Sequence, residues 1–590
     1  MTKLMGLFRR VRGEERGAAM AAVIGLMMVG MLLTTLILSS VVTGLGSTTS
    51  TRAGVQSQAA AEAGVDVARA ALTTGTSCSA SYTSTTAPAY TASLSYTTAS
   101  SITSSTAWIA GCPTATAQFV KISSVGTAVA KGVAGNTSGN VKSIEAIYNR
   151  PVASPPINAT GPAVYSYSSQ YFSGSGTLIS QNGTNDANVM VKTGDVACSG
   201  GATAQGDLVV NNGNLTLSGS CGVSGNAWAS GTGKGAVNLS GGVVVGGNVV
   251  GNALTVNSGT VGGSTWTSGT TYLSSGVING SITVTAGALN SGGSNAIGRD
   301  TWSSGGTTVT NGDAINGNAT AQTFNLTGGN IGTSTSNSAW ARGTVTGTSR
   351  ITAHLTAQSV QEGVTAQGGI TVVPGGPGPG PAAQATPIAP SVPNWINFAY
   401  TKRDWTGFSE YVLGTTCDFD AFQTAVNSFA GSKGIIDARA CTSPIAISTY
   451  QQLVLGNDLA IISTKGFSFG GSGGFTSTSP HKLWLITPDT TVESPTTPSC
   501  PSGSSVIVAG GFTFNPNIST MIYSPCQISI GSGVHFYGQV FGGTITIDGG
   551  AYFYYSPMGL PGYDLSTGGN TTPSTPTNPW TAVSTRNIGG

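Results

Sequence analysis

From Ala18 to Gly46 the chain runs 29 residues without a charge. As a helix that stretch covers roughly 43 Å, more than the hydrocarbon core of a bilayer at about 30 Å. The pattern then changes without a break. Through "STRAGVQSQAAAEAGVDVARAAL" apolar positions recur at helical spacing, with Ala61, Val65, Ala68 and Leu72 on one face and Glu62, Asp66 and Arg69 opposite. This predicts one long helix over 18–72 that crosses a membrane and becomes amphipathic beyond it. Its inward face is mostly Ala, Gly and Val, and such small residues let a helix approach its partner closely.

After residue 72 the period shortens to that of strands. "QFVKISSVGTAVA" and "NVKSIEAIYNR" alternate around a Gly-rich turn and predict a small α+β head over 73–150 packed on the helix. "RPVASPPINATGP" interrupts the pattern and opens a connector over 151–199. In the region 200–373, Trp228, Trp266, Trp302 and Trp340 recur at intervals of 38, 36 and 38 residues, with short β-rich pieces and Gly and Asn turns between them. Repetition on that scale means stacked units. Two coils of about 18 residues per interval predict a right-handed-type β-solenoid rod, with the tryptophans stacked as a ladder inside it or along one edge.

"VVPGGPGPGPAAQATPIAPSVPNW" then reads as a Pro/Gly linker over 374–393 that separates the rod from a C-terminal β-rich module over 394–565. Within that module Asp418 caps a short helix with Phe422, Val426 and Phe429 on one face. "STMIYSPCQISIGSGVHFYGQVFGGTITIDGGAYFYY" returns to solenoid-like strands, and 566–590 reads as a disordered tail. The predicted fold is mainly β, with a long N-terminal transmembrane helix.

Charge sets the orientation. Lys3, Arg9, Arg10, Arg12 and Arg16 precede the span in a basic leader over 1–17, so the N-terminus is expected in the cytoplasm and the remainder outside it. Only 7% of residues are charged and the net charge is +2, which excludes the basic surface of a nucleic-acid binder. Cys78, Cys112, Cys198, Cys221, Cys417, Cys441, Cys500 and Cys526 fall into four near-neighbour couples without a C-x-x-C spacing. An exported chain with disulfides 78–112, 198–221, 417–441 and 500–526 fits that spacing, which alone leaves the connectivity open.

The leader ending at Gly17, the span beginning at Ala18 and "QAAAEAG" at 58–64 resemble the N-termini of type IV pilin-like proteins, most closely the PilX-type minor pilins. The resemblance implies cleavage by a prepilin peptidase between Gly17 and Ala18. It also implies packing of the helix, including Glu62, Ala63 and Gly64, among other pilin-like subunits. Major pilins carry glutamate at the fifth mature position, where this chain has Ala22. Some minor pseudopilins share that departure and sit at the filament tip, so the resemblance implies a tip or initiating place. The segment from Ile522 to Tyr554 resembles the C-terminal modules often joined to such N-termini, and the repeat region is similar in texture to bactofilin-like β-helices.

Enzymatic chemistry finds little to stand on. The acids of the repeat region are Asp207, Asp300, Asp313 and Glu362, and the cations Lys234, Arg299, Arg342 and Arg350 are equally scattered. Arg299 beside Asp300 reads as a surface ion pair. "SGTGKGA" lacks the first glycine of a phosphate loop because Trp228 stands there, and His354, His481 and His535 have no second ligand nearby. No metal or cofactor is expected. The sequence therefore predicts a single-pass membrane protein of the cell surface or pilus, a non-enzymatic tip or minor subunit of a pilus-like filament. The alternative is a membrane-anchored adhesin whose C-terminal Tyr, Trp and Asn side chains bind a glycan or another surface.

Overall fold

The structure is a computed structural model that describes residues 18–74, 78–99, 101–114, 117–129, 140–149, 157, 159–181, 183–184, 186–489, 496–501, 503–571 and 581–588. Gly17 and the leader lie outside the described residues. The protein is mainly β, with a long N-terminal apolar helix and a large β-solenoid of about 19 turns. Two compact units divide it, one formed by 1–153 with 575–590 and the other by 154–574. In chain order the solenoid is thus an insertion within the head.

The first unit is built on α1 (Ala18–Thr74), 57 residues long. Its side chains from Ala19 to Leu45 are exposed, and it is long and apolar enough to cross a membrane. The threonines in this stretch do not leave bare hydroxyls. Thr34, Thr35 and Thr43 donate to the carbonyls of Gly30, Met31 and Ser39 one turn back, at 2.7–2.8 Å. In its second half α1 lies on an antiparallel sheet of β1 (Ser81–Ser84), β2 (Ala89–Thr97), β4 (Phe119–Thr127) and β5 (Val141–Asn149), with β3 (Ile109–Ala110) beside β2. Ala61, Val65 and Ala68 pack there against Leu94, Val120, Ile122, Ile144 and Tyr148, with Leu72 at the margin.

The tail does not behave as its composition suggests. Thr581–Asn587 forms a further antiparallel strand on the free edge of β5. The expectation of disorder over 566–590 fails there because main-chain pairing, which needs no apolar side chain, supplies the contact.

The solenoid has three strands per coil, each pairing in parallel with its counterpart one coil away, as in the column Leu208–Val210, Ala227–Ala229 and Val249–Gly251. Interior positions are filled by small and branched residues, including the run Val223, Val245, Val261, Ile278, Ile297, Ile315 and Ile331. One corner is stitched from coil to coil by side chains. Asn188 accepts from the Asp207 amide, Asp207 from that of Asn226, Asn226 from that of Asn248, and Asn248 from that of Ser264, at 2.7–2.9 Å. Each bond satisfies a corner N–H that no strand partner could reach.

Three boundaries differ from the sequence reading. The connector over 151–199 contains coils of the rod from Val164 onward. The C-terminal module does not stand apart either. Its strand His535–Ile547 pairs with Val164–Ser166 and Gln170–Phe172, and Tyr552–Tyr555 pairs with Thr177–Ser180, so it continues the same stack beyond the first coil. Residues 374–393 do not separate two bodies but run back along the outside of the rod.

Two ends result. At one, α2 (Phe419–Ser428), with Asp418 accepting from the Ala421 amide at 2.9 Å, packs Phe422, Ala425 and Phe429 onto the interior. At the other, Ile370 and Val372 extend the interior column of Leu355 and Ala357 yet are 40% and 49% exposed. The chain enters and leaves the rod at one level between them. Tyr555 donates to the Gly161 carbonyl at 2.9 Å, and a side chain added at Gly161 would meet Leu565.

Candidate functional site

Along α1, Ala18 opens the helix and Ala22 lies exposed in its apolar part. Forty residues further on, Glu62 is exposed and accepts from Gln58 at 2.9 Å, Ala63 is half-buried and Gly64 is buried. The spacing of "QAAAEAG" thus turns its small residues toward the sheet and its carboxylate away. Contact there is backbone-close, since a Cβ at Gly126 of β4 would lie 2.1 Å from the Ser57 carbonyl oxygen and 2.3 Å from the Ala61 nitrogen.

Trp228, Trp266, Trp302 and Trp340 fall in one outward column on alternate coils, separated by Val250, Thr283 and Thr320. They do not form the stacked ladder expected. One coil intervenes between each pair, or about 9.6 Å, which is too far for ring contact. Their partner is the strap formed by the 374–393 segment. Trp340 Nε1 donates to the Gly378 carbonyl at 3.3 Å and Trp302 Nε1 to the Pro381 carbonyl at 3.0 Å. Three residues of polyproline II advance roughly 9.3 Å, close to two strand spacings, so every third strap residue meets every second coil.

Gln384 Nε2 reaches Ser281 at 3.3 Å, Lys192 Nζ donates to the Val392 carbonyl at 3.2 Å, and Tyr165 donates to the Pro393 carbonyl at 3.1 Å. Burial holds the Lys192 ammonium below its ordinary pKa. The indole N–H groups of Trp228 and Trp266, both buried in the same column, have no acceptor. Further along, Trp395, Ile396, Phe398 and Trp405 join Tyr165, Trp484, Tyr523 and Phe541 in a second apolar core outside the solenoid wall. The module's tryptophans Trp395, Trp405 and Trp484 are 1–2% exposed, so they are unavailable to an external ligand.

What stays outside is a four-ring patch that no single sequence motif announced. His535 and Tyr537 on one strand stack on Tyr552 and Tyr554 of the next, with ring centroids 4.8 Å and 4.6 Å apart. Phe536 and Phe553 between them point inward and are buried. The available signal was the recurrence of aromatics at i and i+2 in "HFY" and "YFY", where the inward slot was already filled. Thr513 flanks the patch on one side, and Thr177 and Ile179 on the other. Burial and the neighbouring Tyr554 raise the Tyr537 phenol above its ordinary pKa.

Three of the four acids of the repeat region are spent on the frame, while Glu362 is exposed. Asp207 and Asp300 accept from the amides of Asn226 and Asn318, both at 2.7 Å, so Asp300 belongs to the corner stitching and not to a pair with Arg299. Asp313 is buried and accepts from Asn295 and Thr310. A two-pronged charged pair lies in the C-terminal part, where Arg439 binds Asp437 through Nε and Nη2 at 2.8 and 2.7 Å and lies over the Tyr400 ring. Burial works against the Asp437 carboxylate, but the guanidinium bonds outweigh it and hold its pKa below the usual range. No group of three or more His, Cys, Asp or Glu suited to a metal occurs among the described residues.

The eight cysteines are bonded as 78–112, 198–221, 417–441 and 500–526. Four disulfides suit an extracytoplasmic domain, and the single apolar helix fits a single-pass anchor.

No family model matches the chain, and no curated protein does. Among solved structures, the C-terminal domain of a tapirin from Caldicellulosiruptor kristjanssonii aligns at 12% identity. The alignment covers 68% of this chain and 94% of that one, at a TM-score of 0.23. A likeness that loose says nothing further about fold or role.

Proposed function

We propose that the chain is a membrane-anchored, non-enzymatic structural subunit of a type IV pilus-like surface filament, set at or near its tip, that presents the solenoid outside the cell. The observation that carries this reading is α1. Its first half exposes an unbroken apolar surface, while its second half seats small residues on an antiparallel sheet. Such a helix can pack among like helices and still hold a folded head. Ala22 places no carboxylate in that apolar stretch, which suits a subunit with nothing above it. Prepilin peptidase would cut after Gly17, and other pilin-like subunits would be the partners. Sequencing the mature N-terminus tests this directly. Ala18 is the expected result, and Met1 or Thr2 would mark a plain anchor and overturn the filament reading.

A second reading, surface adhesion, is favoured by the patch of His535, Tyr537, Tyr552 and Tyr554. Its ring edges and hydroxyls, without a charge among its flanking strand partners, suit a neutral polyhydroxylated surface such as a glycan. Binding of the full chain to a glycan array, lost in a Y552A/Y554A variant, is the expected result.

A further inference from the structure

The strand Thr581–Asn587 is joined to the head in an unusual way. It pairs with β5 from Ile144↔Asn587 to Asn149↔Thr581, yet every one of its residues is exposed and none enters the head core. Apart from main-chain bonds it is held by polar contacts. Arg586 Nη2 and Nε lie 2.6 and 2.9 Å from Glu145 Oε1, and Gln58 Nε2 is 3.4 Å from Asn587 Oδ1. Glu145 is only 7% exposed, and its other cation, Lys121, stands 3.7 Å away. In a chain with so few charges, this carboxylate is a specific address for a strand carrying Arg586.

We infer that the edge of β5 is an assembly site whose occupant, within an assembled array, is the C-terminal strand of a second copy, which supplies Arg586 to the Glu145 of its neighbour. The inference rests on the proposed side-by-side packing of α1 helices. A donor from another copy would make the same main-chain bonds and the same ion pair, so nothing in the contact discriminates between its own strand and a neighbour's. No packed side chain has to be withdrawn for the exchange. The two partners are also 441 residues apart in sequence, so the β5 edge of each copy is complete long before its own strand exists. Crowded anchors raise the neighbour's strand to an effective concentration that competes with the tethered one.

The eight native cysteines are all bonded, so introduced thiols have no native partner. Ile147 and Ser584 are register partners across this pair, and antiparallel partners at about 4.5–5.5 Å between Cα atoms suit a disulfide. Two differently tagged full-length chains, I147C and S584C, are co-expressed in the native membrane and oxidised mildly, beside a single chain carrying both substitutions. A disulfide joining the two tags is expected. Placing E145R on the I147C chain should abolish the link, and adding R586E to the S584C chain should restore it. A disulfide in the double-cysteine chain with none between tags would overturn exchange and leave helix-driven assembly standing. No disulfide in either would overturn strand docking altogether. Linked tags on chains that begin at Met1 would sink the filament reading while leaving the exchange intact.

Discussion

The two kinds of tryptophan in the outward column should respond with opposite sign to the same substitution. In Trp302→Phe the ring loses part of its area and its donor to the Pro381 carbonyl at 3.0 Å. In Trp266→Phe, at a more buried ring, the N–H removed had no acceptor. A neutral hydrogen bond contributes about 0.5–1.5 kcal/mol net, and a buried unpaired donor costs about 1–3 kcal/mol. From these polar terms alone, W302F should loosen the strap relative to W266F by roughly 1.5–4.5 kcal/mol. Global unfolding is a poor reader of this, because long repeat arrays depart from two-state behaviour. Hydrogen exchange over 374–394 reads local opening instead. W302F should raise exchange there at least about fivefold for each kcal/mol lost, and W266F should leave it unchanged or slow it. Equal acceleration in both variants would refute the idea that indole donors hold the strap.

Gly126→Ala should disrupt the head while sparing the rod, because the new methyl meets main-chain atoms of α1 that cannot yield. A loss of about 1–3 kcal/mol or more is expected, read as protease sensitivity of the head with a resistant rod fragment. The Asp437–Arg439 pair should contribute stability that is fully present above about pH 4 and lost as pH falls through the lowered carboxylate pKa. Exchange of Lys433–Asp437 should therefore accelerate in acid, and D437N should remove that dependence. Removing Cys198–Cys221, which spans 23 residues, with a C198A/C221A variant should cost about 3 kcal/mol locally. That loss would appear as faster exchange in the coils around 196–223 and not in the head.

Much of the architecture was legible because it is locally encoded. Tryptophan spacing gave two coils per interval, since every coil must return a residue to the same column. The charge-free run and the small-residue stripe defined α1. What escaped depends on long-range pairing. Val540 meets Val164 across most of the chain, and nothing in either strand names the other. The Pro/Gly segment carries the composition of a spacer, and only the column of tryptophans it faces turns it into a strap. Between the Trp340 and Tyr165 coils lie about nine strand spacings, roughly 43 Å, which the 15 steps from Gly378 to Pro393 just cover at about 3.1 Å each. "TAVSTRN" has no buried alternation to read, because its strand buries none of its side chains.

The shared level of entry and exit near Gly161 has a mechanical consequence. That level divides the rod into two unequal arms. From the Val164–Ser166 strand the open end lies about eleven strand spacings away, roughly 53 Å, and the α2 end about six, roughly 29 Å. The same sideways pull therefore exerts nearly twice the turning moment at the open end. A partner gripping that end would load the coils around Gly161 hardest, while one gripping the α2 end would act through the shorter arm.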